Sequence, residues 1–514
     1  MPEEASPDSV VKKTFFGRRT AWGGRTFRFR LKSFRLGKGL SLRRFSVMEA
    51  ALLLMFALLA SRGLGVVRQS IFNALFGTGP EANAYYAASR LPDTLFNLIA
   101  GGALTHAFIP VFLSYEKKQG ELDAWRLASL VFNVLLVVIT LVVIIGEFLT
   151  PAFVNYLLVP GYSPAEQALT AKLTQIMLIQ PLILGLGTVI TAILNGKRQF
   201  LLPAASIAIY NFGMIGGLLL TLALPSVGIY GPTYGILIAA VLQVAIQIPG
   251  LVQQRVRYTF TWDLRHRGLY EVMCLAGPNV LAIGLFYVGT IVDTAFSSYL
   301  PDTASLSALH NAQMLQAVPL ALISQAIGQA LLPHLAVQAA SGRYVRMART
   351  ALKVMGVSIL LTVPAALVLW VLGGPAIRLI FQHGAFTAHS TDLTNLALIG
   401  YAVGVPGLVA GDLVVRGFFA LKDAWTPLGT NLFALASRVS LVILLLHWLQ
   451  GPWVILAIPL ALAGSASAEA MLLCLLFLYR LRKRISLDQG MQRLQRRRLY
   501  LKSRQKSDSG LACP

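Results

Sequence analysis

The sequence predicts an all-α polytopic membrane protein with about twelve transmembrane helices. Of its 514 residues, 56% are hydrophobic and only 13% are charged, which is about half the charged fraction of an average soluble domain. Apolar runs that approach or exceed the roughly 20 residues needed to span a bilayer recur from Phe45 to Leu478. This composition excludes a disordered chain, a secreted disulfide-stabilised domain and a conventional soluble enzyme.

Hydropathy, together with the positions of Gly and Pro, places the helices along the chain. The first six are expected at 46–76, 82–114, 127–157, 164–195, 201–223 and 228–253. The last six are expected at 268–299, 303–340, 350–373, 388–420, 425–448 and 453–483. The first, second and eighth are the least apolar. The chain then divides into a basic N-terminal tail (1–45), an N-lobe (46–255), a C-lobe (256–484) and a basic C-terminal tail (485–514).

Basic residues are unequally distributed between the predicted loops. If the N-terminus is cytoplasmic, the inner loops contain 14 Lys or Arg residues and the outer loops contain one, Arg378. Lys and Arg accumulate in the cytoplasmic loops of membrane proteins. This distribution therefore predicts that both termini and the 254–267 loop are cytoplasmic, whereas the 376–390 loop is outside.

The two tails carry most of the net charge of +23. Residues 1–45 contain 12 Lys or Arg against three acidic residues, and residues 480–514 contain 11 against two. Basic segments beside membrane helices favour the anionic cytoplasmic leaflet, and neither tail contains a nucleic-acid-binding motif. We therefore expect a multi-pass membrane protein whose tails face the cytoplasm and that does not bind nucleic acid.

A short internal repeat relates the two halves of the chain. Leu194–Pro203 and Phe418–Pro427 each place a basic residue, Arg198 or Lys422, five positions before a proline. Two related six-helix halves are typical of transporters, in which the substrate binds between the halves.

Charged residues inside the predicted helices indicate a cavity, because ionisable groups within a bilayer usually face water or one another. In the first helix, Gly63 and Gly65 could bend the chain so that Arg62 and Arg68 face one cavity. The second helix contains Arg90, Pro92 and Asp93. Guanidinium groups form bidentate hydrogen bonds with phosphate, so a phosphorylated substrate is expected. The alternatives are arginines that extend to the interface, or an Arg90–Asp93 ion pair.

The second half also contributes acidic groups within its helices. Asp293, Asp412 and Arg416 could bind a coupling proton or cation, although pairing between Asp and Arg explains them equally well. The sequence contains no nucleotide-binding loop, metal-binding motif or catalytic signature. We therefore expect a transporter that is not an enzyme, requires no cofactor or metal, and depends on an ion gradient, the membrane potential or substrate supply.

A series of short motifs runs in one order through residues 46–484, including Ser61–Arg68, Asn83–Tyr86, Arg90–Pro92, Phe381–Thr387 and Gly417–Phe419. These motifs resemble the MurJ (MviN) family, the lipid II flippases of the multidrug/oligosaccharidyl-lipid/polysaccharide exporter superfamily. The resemblance implies a V-shaped pair of six-helix lobes around a cationic central cavity. It also implies alternating-access translocation of lipid II, an undecaprenyl-diphosphate-linked peptidoglycan precursor, for cell-wall biogenesis. The location that it implies is the bacterial cytoplasmic (inner) membrane, with cell-wall synthesis proteins as further partners.

The resemblance assigns substrate binding to Arg62, Arg68 and Arg90, and we expect Arg62 to be indispensable. Cavity lining or gating is expected for Asn83, Pro92, Asp93, Gly63 and Gly65.

Several positions depart from the family pattern, namely Asn83, Phe96, Asn97, Gly101, Gln313 and Met314. They stand where the family usually has acidic residues and arginines, and many members have 14 helices instead of twelve. The departures leave open a flippase for another polyprenyl-diphosphate saccharide, a non-transporting membrane scaffold, or a cation-coupled exporter.

Overall fold

The computed structural model describes residues 47–100, 103–254 and 256–509, which are almost entirely helical. The first half contains α1 (Val47–Phe76), α2 (Pro80–Ala100), α3 (Ala103–Gln119), α4 (Glu121–Phe153), α5 (Pro164–Met177), α6 (Ile179–Gly196), α7 (Leu201–Ala223), α8 (Tyr230–Ala245) and α9 (Ile248–Gln253). The second half contains α10 (Arg267–Ser297), α11 (Ser305–Leu320), α12 (Ala326–Ala340), α13 (Tyr344–Phe381), α14 (Ala388–Ala420), α15 (Trp425–Trp448) and α16 (Ala457–Ser509). The all-α fold class is confirmed.

The predicted membrane segments coincide with these helices, and some are divided into two, as in α2–α3, α5–α6, α8–α9 and α11–α12. Among the described residues, nine helical segments are long and apolar enough to cross a membrane. The segment Ser305–Ala340, which is the predicted eighth helix and one of the three expected to be least apolar, has the lowest mean hydropathy of these nine, 1.5.

Two boundaries differ from the prediction. The connection between α13 and α14 is shorter than the predicted 376–390 loop, since α13 continues to Phe381 and α14 begins at Ala388. The last helix continues to Ser509 instead of ending near 483, because no proline interrupts residues 461–509. Most of the predicted C-terminal tail is therefore helical, whereas the predicted 1–45 tail lies outside the described residues.

The internal repeat has a counterpart in the backbone of the turns before α7 and α15. Arg198 and Lys422 have positive φ angles of 61° and 59°, which few residues other than glycine adopt. In both turns the next residue donates its backbone N–H to the carbonyl five positions earlier, at 2.9 Å after Arg198 and 3.0 Å after Lys422. This is the hydrogen bond of a Schellman helix ending. The matching turns support the relation between the two halves.

Helices α1–α9 form the N-lobe and α11–α16 form most of the C-lobe, whereas α10 packs against α2 and α3 on one side and α15 on the other. The lobes meet at one end, called here the closed end, where the segments 74–83, 298–311 and 380–390 come together. There Ala385 donates its N–H to the carbonyl of Ala74 at 2.8 Å. A Cβ added at Gly384, which has a φ of 58°, would lie 2.3 Å from that carbonyl oxygen. The close approach therefore requires glycine.

Candidate functional site

A large cavity separates the two lobes beyond the closed end. It has three adjoining compartments of about 670, 220 and 510 Å³, called here the central, N-lobe and C-lobe compartments. Asp93, Gln180 and Tyr210 line both the central and the N-lobe compartments. Phe286 and Leu320 line both the central and the C-lobe compartments. The walls therefore come from both halves of the chain.

Arg68 lies in the N-lobe compartment, where it is half-buried. Its Nη1 donates hydrogen bonds to Oδ1 of Asn211 at 3.4 Å and to Sδ of Met214 at 2.9 Å, both on α7. Asn211 in turn donates from Nδ2 to Oγ of Ser61 at 2.9 Å. Neutral groups thus orient this guanidinium, and no carboxylate in the described part of the chain forms an ion pair with it.

Arg62 lies in a different compartment from Arg68, which corrects the expectation that the two converge. α1 is one uninterrupted helix, and a Cβ added at Gly63 would meet nothing within 4 Å. Arg62 is exposed and lines the C-lobe compartment. Six residues of regular helix rotate the side-chain direction by about 600°, which leaves ~120° between the two arginines. Without a break at Gly63 or Gly65, the helix keeps them apart.

Arg90 and Asp93 lie at the wall of the central compartment. α2 continues through Pro92, which is buried. Nε of Arg90 is buried and has no hydrogen-bond partner among the described residues. Asp93 forms no ion pair with it, since no oxygen of Asp93 lies within 4.0 Å of the guanidinium. The alternative of a simple Arg90–Asp93 pair is therefore not what the structure contains.

The two aspartates of the expected coupling site, Asp293 and Asp412, are each paired with an arginine. Asp293 on α10 accepts a hydrogen bond from Nη2 of Arg438 on α15 in a buried ion pair. Asp412 accepts from Nη2 of Arg416 at 2.9 Å and also from the hydroxyl of Ser324. Asp412 and Arg416 line the C-lobe compartment, whereas Asp293 lies beside a small pocket next to Arg90. The three residues of the expected coupling site are therefore not gathered in one compartment.

Asn83 lies at the closed end, where it connects the lobes. It is buried, donates to the carbonyl of Thr303, and accepts the backbone N–H of Ser307 at 2.8 Å. Thr78 and Ser390 add a hydroxyl–hydroxyl contact between the lobes at 2.7 Å.

A buried amide cluster beside Asn83 was not foreseen from the sequence. Nε2 of Gln69 donates to Oδ1 of Asn311 at 2.9 Å, and Nδ2 of Asn73 donates to the same oxygen at 3.0 Å. His310 stacks on Tyr86 with ring centroids 4.0 Å apart. The signal that could have revealed this cluster is the pair of amides four residues apart in an apolar helix, which places them on one face.

The positions that depart from the family pattern have different locations. Phe96, Asn97 and Gln313 line the central compartment, Met314 is half-buried, and Gly101 lies outside the described residues. Within the described ranges, no three His, Cys, Asp or Glu side chains are close enough together to hold a metal ion.

Comparison with known proteins connects this architecture to a family. Residues 72–502 match the family model described as "Lipid II flippase MurJ". The match begins after Arg62 and Arg68 and includes Arg90. A protein of Rhizobium tropici named "Probable lipid II flippase MurJ" is 29% identical over 394 residues, which are 76% of this chain and 74% of the relative.

Solved structures show the same fold. A structure titled "Lipid II flippase MurJ, inward closed conformation" gives a TM-score of 0.70 at 25% identity, with 82% of this chain and 86% of that chain covered. An inward-facing multidrug resistance MATE family transporter gives a TM-score of 0.72 at 12% identity, with 84% and 99% covered. The second similarity shows the fold alone, a V-shaped pair of helical lobes.

Proposed function

The chain belongs to the lipid II flippase MurJ family, and we propose that it translocates lipid II across the bacterial cytoplasmic membrane for peptidoglycan synthesis. Lipid II is the substrate and membrane partner in this proposal, and the protein moves it without catalysing a reaction. One observation carries the proposal beyond family membership. Arginines without ion-pair partners in the described chain line a cavity whose walls come from both lobes.

This arrangement suits a diphosphate headgroup. Arg68 and Arg90 lie on neighbouring helices and line the adjoining N-lobe and central compartments, with Arg62 at the C-lobe compartment. A guanidinium donates two parallel hydrogen bonds to phosphate oxygens and keeps its charge at any physiological pH. Because the effective dielectric constant within a protein is lower than that of water, these contacts are stronger than they would be in bulk solvent.

The closed end supports alternating access. Its contacts between lobes are hydrogen bonds of neutral side chains, such as those of Asn83, Asn311 and Thr78. A neutral hydrogen bond contributes only about 0.5–1.5 kcal/mol net, so the lobes can separate here if the cavity closes elsewhere. In this proposal the closed end is outside and both termini are cytoplasmic, as expected from the distribution of basic residues between the loops. In that orientation, a cysteine introduced as Arg265→Cys reacts with impermeant reagents only from the cytoplasmic side.

Energy coupling by an ion gradient or the membrane potential follows as part of the proposal, with no cofactor required. Of the coupling candidates, Asp412 is better placed than Asp293 to exchange an ion with the cavity. The Asp412 side chain is 42% exposed, against 12% for Asp293. Its partner Arg416 would then modulate how readily Asp412 binds a proton or cation.

The decisive experiment combines translocation with reversible locking of the closed end. Purified protein in proteoliposomes is expected to move lipid II between leaflets without ATP. In a cysteine-free background, the pair Thr78→Cys and Ser390→Cys should form a disulfide, since the native oxygens are 2.7 Å apart. Oxidation should stop translocation and reduction should restore it.

The cysteine-free parent and each single-cysteine variant serve as controls. Translocation that continues after complete cross-linking would reject alternating access at this end, and a wild-type protein that moves no lipid II would reject the function itself.

A second candidate substrate is another polyprenyl-diphosphate saccharide. Phe96 and Asn97 line the central compartment where the family usually has arginines, so the wall near the sugar and peptide is less cationic. Competition between lipid II and other diphosphate-linked saccharides in the same proteoliposomes would distinguish the two substrates.

A further inference from the structure

Arg438 is a second-lobe cation in the central compartment. It lies on α15, is 9% exposed, and lines the compartment together with Arg90 of the N-lobe. One guanidinium from each lobe therefore lines the same space. Sequence analysis did not assign Arg438 to the cavity.

The ion pair that holds Arg438 leaves hydrogen-bonding groups unused. Nη2 donates to Oδ2 of Asp293. Nε of Arg438 and Oδ1 of Asp293 are both buried, and neither has a hydrogen-bond partner within the described chain. A bidentate guanidinium–carboxylate pair would use both carboxylate oxygens. The contact is thus weaker than the best geometry allows, and Arg438 retains a donor for another anion.

Gly289 makes room for this guanidinium. A Cβ added at Gly289 would lie 3.0 Å from Nη1 of Arg438, closer than most carbon contacts. Gly289 and Asp293 are four residues apart on α10 and therefore share one face of that helix. On this face of α10, the guanidinium of Arg438 therefore bonds to Asp293 and lies beside Gly289, where a side chain would crowd it.

We propose that Arg438 is a further diphosphate-binding residue, and that Asp293 holds it until the diphosphate arrives. This inference rests on the proposed function, because it assigns a residue to the same substrate site. The diphosphate would replace Asp293 as the anion at Arg438 and would also contact Arg90. Binding would then connect the two lobes through a single ligand, and release would return Arg438 to Asp293.

A purely structural role for Arg438 makes a different prediction. If Arg438 only neutralises Asp293 and joins α10 to α15, removing either partner leaves an uncompensated buried charge and both changes are harmful. If Arg438 binds the diphosphate, Asp293 competes with the ligand. Asp293→Asn should then strengthen diphosphate binding while Arg438→Gln weakens it.

The test uses the full-length protein in lipid nanodiscs and inorganic pyrophosphate as the probe, with affinity measured by calorimetric titration. We expect Arg438→Gln to raise the Kd about tenfold and Asp293→Asn to lower it. Arg438→Lys keeps the charge without the planar fork and should lie between wild type and Arg438→Gln. The double variant Asp293→Asn/Arg438→Gln buries no unpaired charge, so it keeps the test available if Arg438→Gln does not fold. It should bind as weakly as Arg438→Gln.

Arg480→Gln is the matched control, because it breaks another Arg–Asp pair, that with Asp423, outside the cavity. Its affinity for pyrophosphate should equal that of wild type. An unchanged Kd for Arg438→Gln, a wild-type Kd for the double variant, or weaker binding by Asp293→Asn would each overturn the inference.

Failure of the proposed function gives a different result. If the wild-type protein translocates no lipid II in proteoliposomes, that function is wrong whatever the affinities show. If translocation is intact and Arg438→Gln binds pyrophosphate like wild type, only the role of Arg438 is wrong.

Discussion

The two lobes treat their arginines differently. In the N-lobe, Arg62, Arg68 and Arg90 line the cavity without an ion-pair partner among the described residues. In the C-lobe, Arg416 and Arg438 also line the cavity, but each is held by an aspartate. The N-lobe wall therefore carries net positive charge, whereas the C-lobe wall is close to neutral. An anionic headgroup that enters the cavity is attracted first to the N-lobe.

Because the arginines of one lobe are paired and those of the other are not, mutation has different consequences in the two lobes. Removing an unpaired cavity arginine takes away a ligand contact and leaves no buried charge behind. Removing one member of a buried ion pair leaves its partner uncompensated, which typically costs about 3–5 kcal/mol. Variants of the N-lobe arginines should therefore lose activity while remaining folded, and variants of the C-lobe pairs should test activity and stability together.

The largest effect is expected at Arg90 in the central compartment. We expect Arg90→Ala to reduce lipid II translocation by about 100-fold or more, since each hydrogen bond to a charged group contributes about 1.5–3 kcal/mol and a guanidinium forms two with phosphate. Translocation in proteoliposomes and complementation of a flippase-depleted strain measure it. Arg378→Ala changes an exposed arginine away from the cavity lining and is the control. A wild-type rate for Arg90→Ala would exclude Arg90 from substrate binding.

A smaller loss is expected at Arg62, which is exposed in the C-lobe compartment. The sequence predicted that Arg62 is indispensable, but solvent weakens the interaction of an exposed charge with its ligand. We now expect Arg62→Ala to reduce translocation about tenfold, and Arg62→Lys to recover part of that loss because the charge is retained. Membrane abundance on immunoblots controls for expression. Complete loss of transport with Arg62→Ala, at normal abundance, would restore the original expectation.

The next prediction concerns Asp412, the more exposed of the two paired aspartates. An ion pair between partly exposed residues four apart contributes only about 0.3–0.5 kcal/mol to stability, so Asp412→Asn should still fold. We expect this variant to reduce translocation about threefold. If Asp412 binds the coupling ion, the remaining transport should no longer respond to a change in the imposed gradient. The response of Glu469→Gln, which alters another acid of the same compartment, provides the comparison. Unaltered dependence on the gradient in Asp412→Asn would exclude Asp412 as the coupling site.

The smallest effect is expected for Asp423, a paired C-lobe residue in the turn between α14 and α15. Burial opposes its ionisation, but hydrogen bonds from Thr426 and Trp425 and the charge of Arg480 outweigh that effect and lower its pKa. A carboxylate with a lowered folded-state pKa stabilises the fold above its unfolded pKa, about 3.9, and loses this contribution as the pH falls through the lower value.

We expect Asp423→Asn to destabilise the protein by about 1 kcal/mol at pH 7, the usual contribution of a helix-capping side chain. The difference from wild type should shrink below about pH 4. Thermal unfolding in detergent across this pH range measures it, with Asp263→Asn at an exposed loop position as the control. A difference that grows as the pH falls would contradict the lowered pKa.

Sequence alone identified the membrane class, the approximate helices and the relation between the halves, because hydropathy and turn residues act over short stretches of chain. The turns at Arg198 and Lys422 illustrate this, since a local pattern specified the same backbone conformation twice. Intramembrane charges could also be recognised as candidates, because any charge within an apolar run is costly.

Only the tertiary structure decided which of those charges is neutralised. Asp293 and Arg438 are 145 residues apart, and Gln69 and Asn311 are 242 residues apart, yet each pair is in contact. Likewise, the separation of Arg62 from Arg68 depended on whether α1 bends at its glycines, and the packed helix does not break there. Hydropathy reports the cost of a buried polar group, whereas the partner that offsets this cost is set by packing between distant helices.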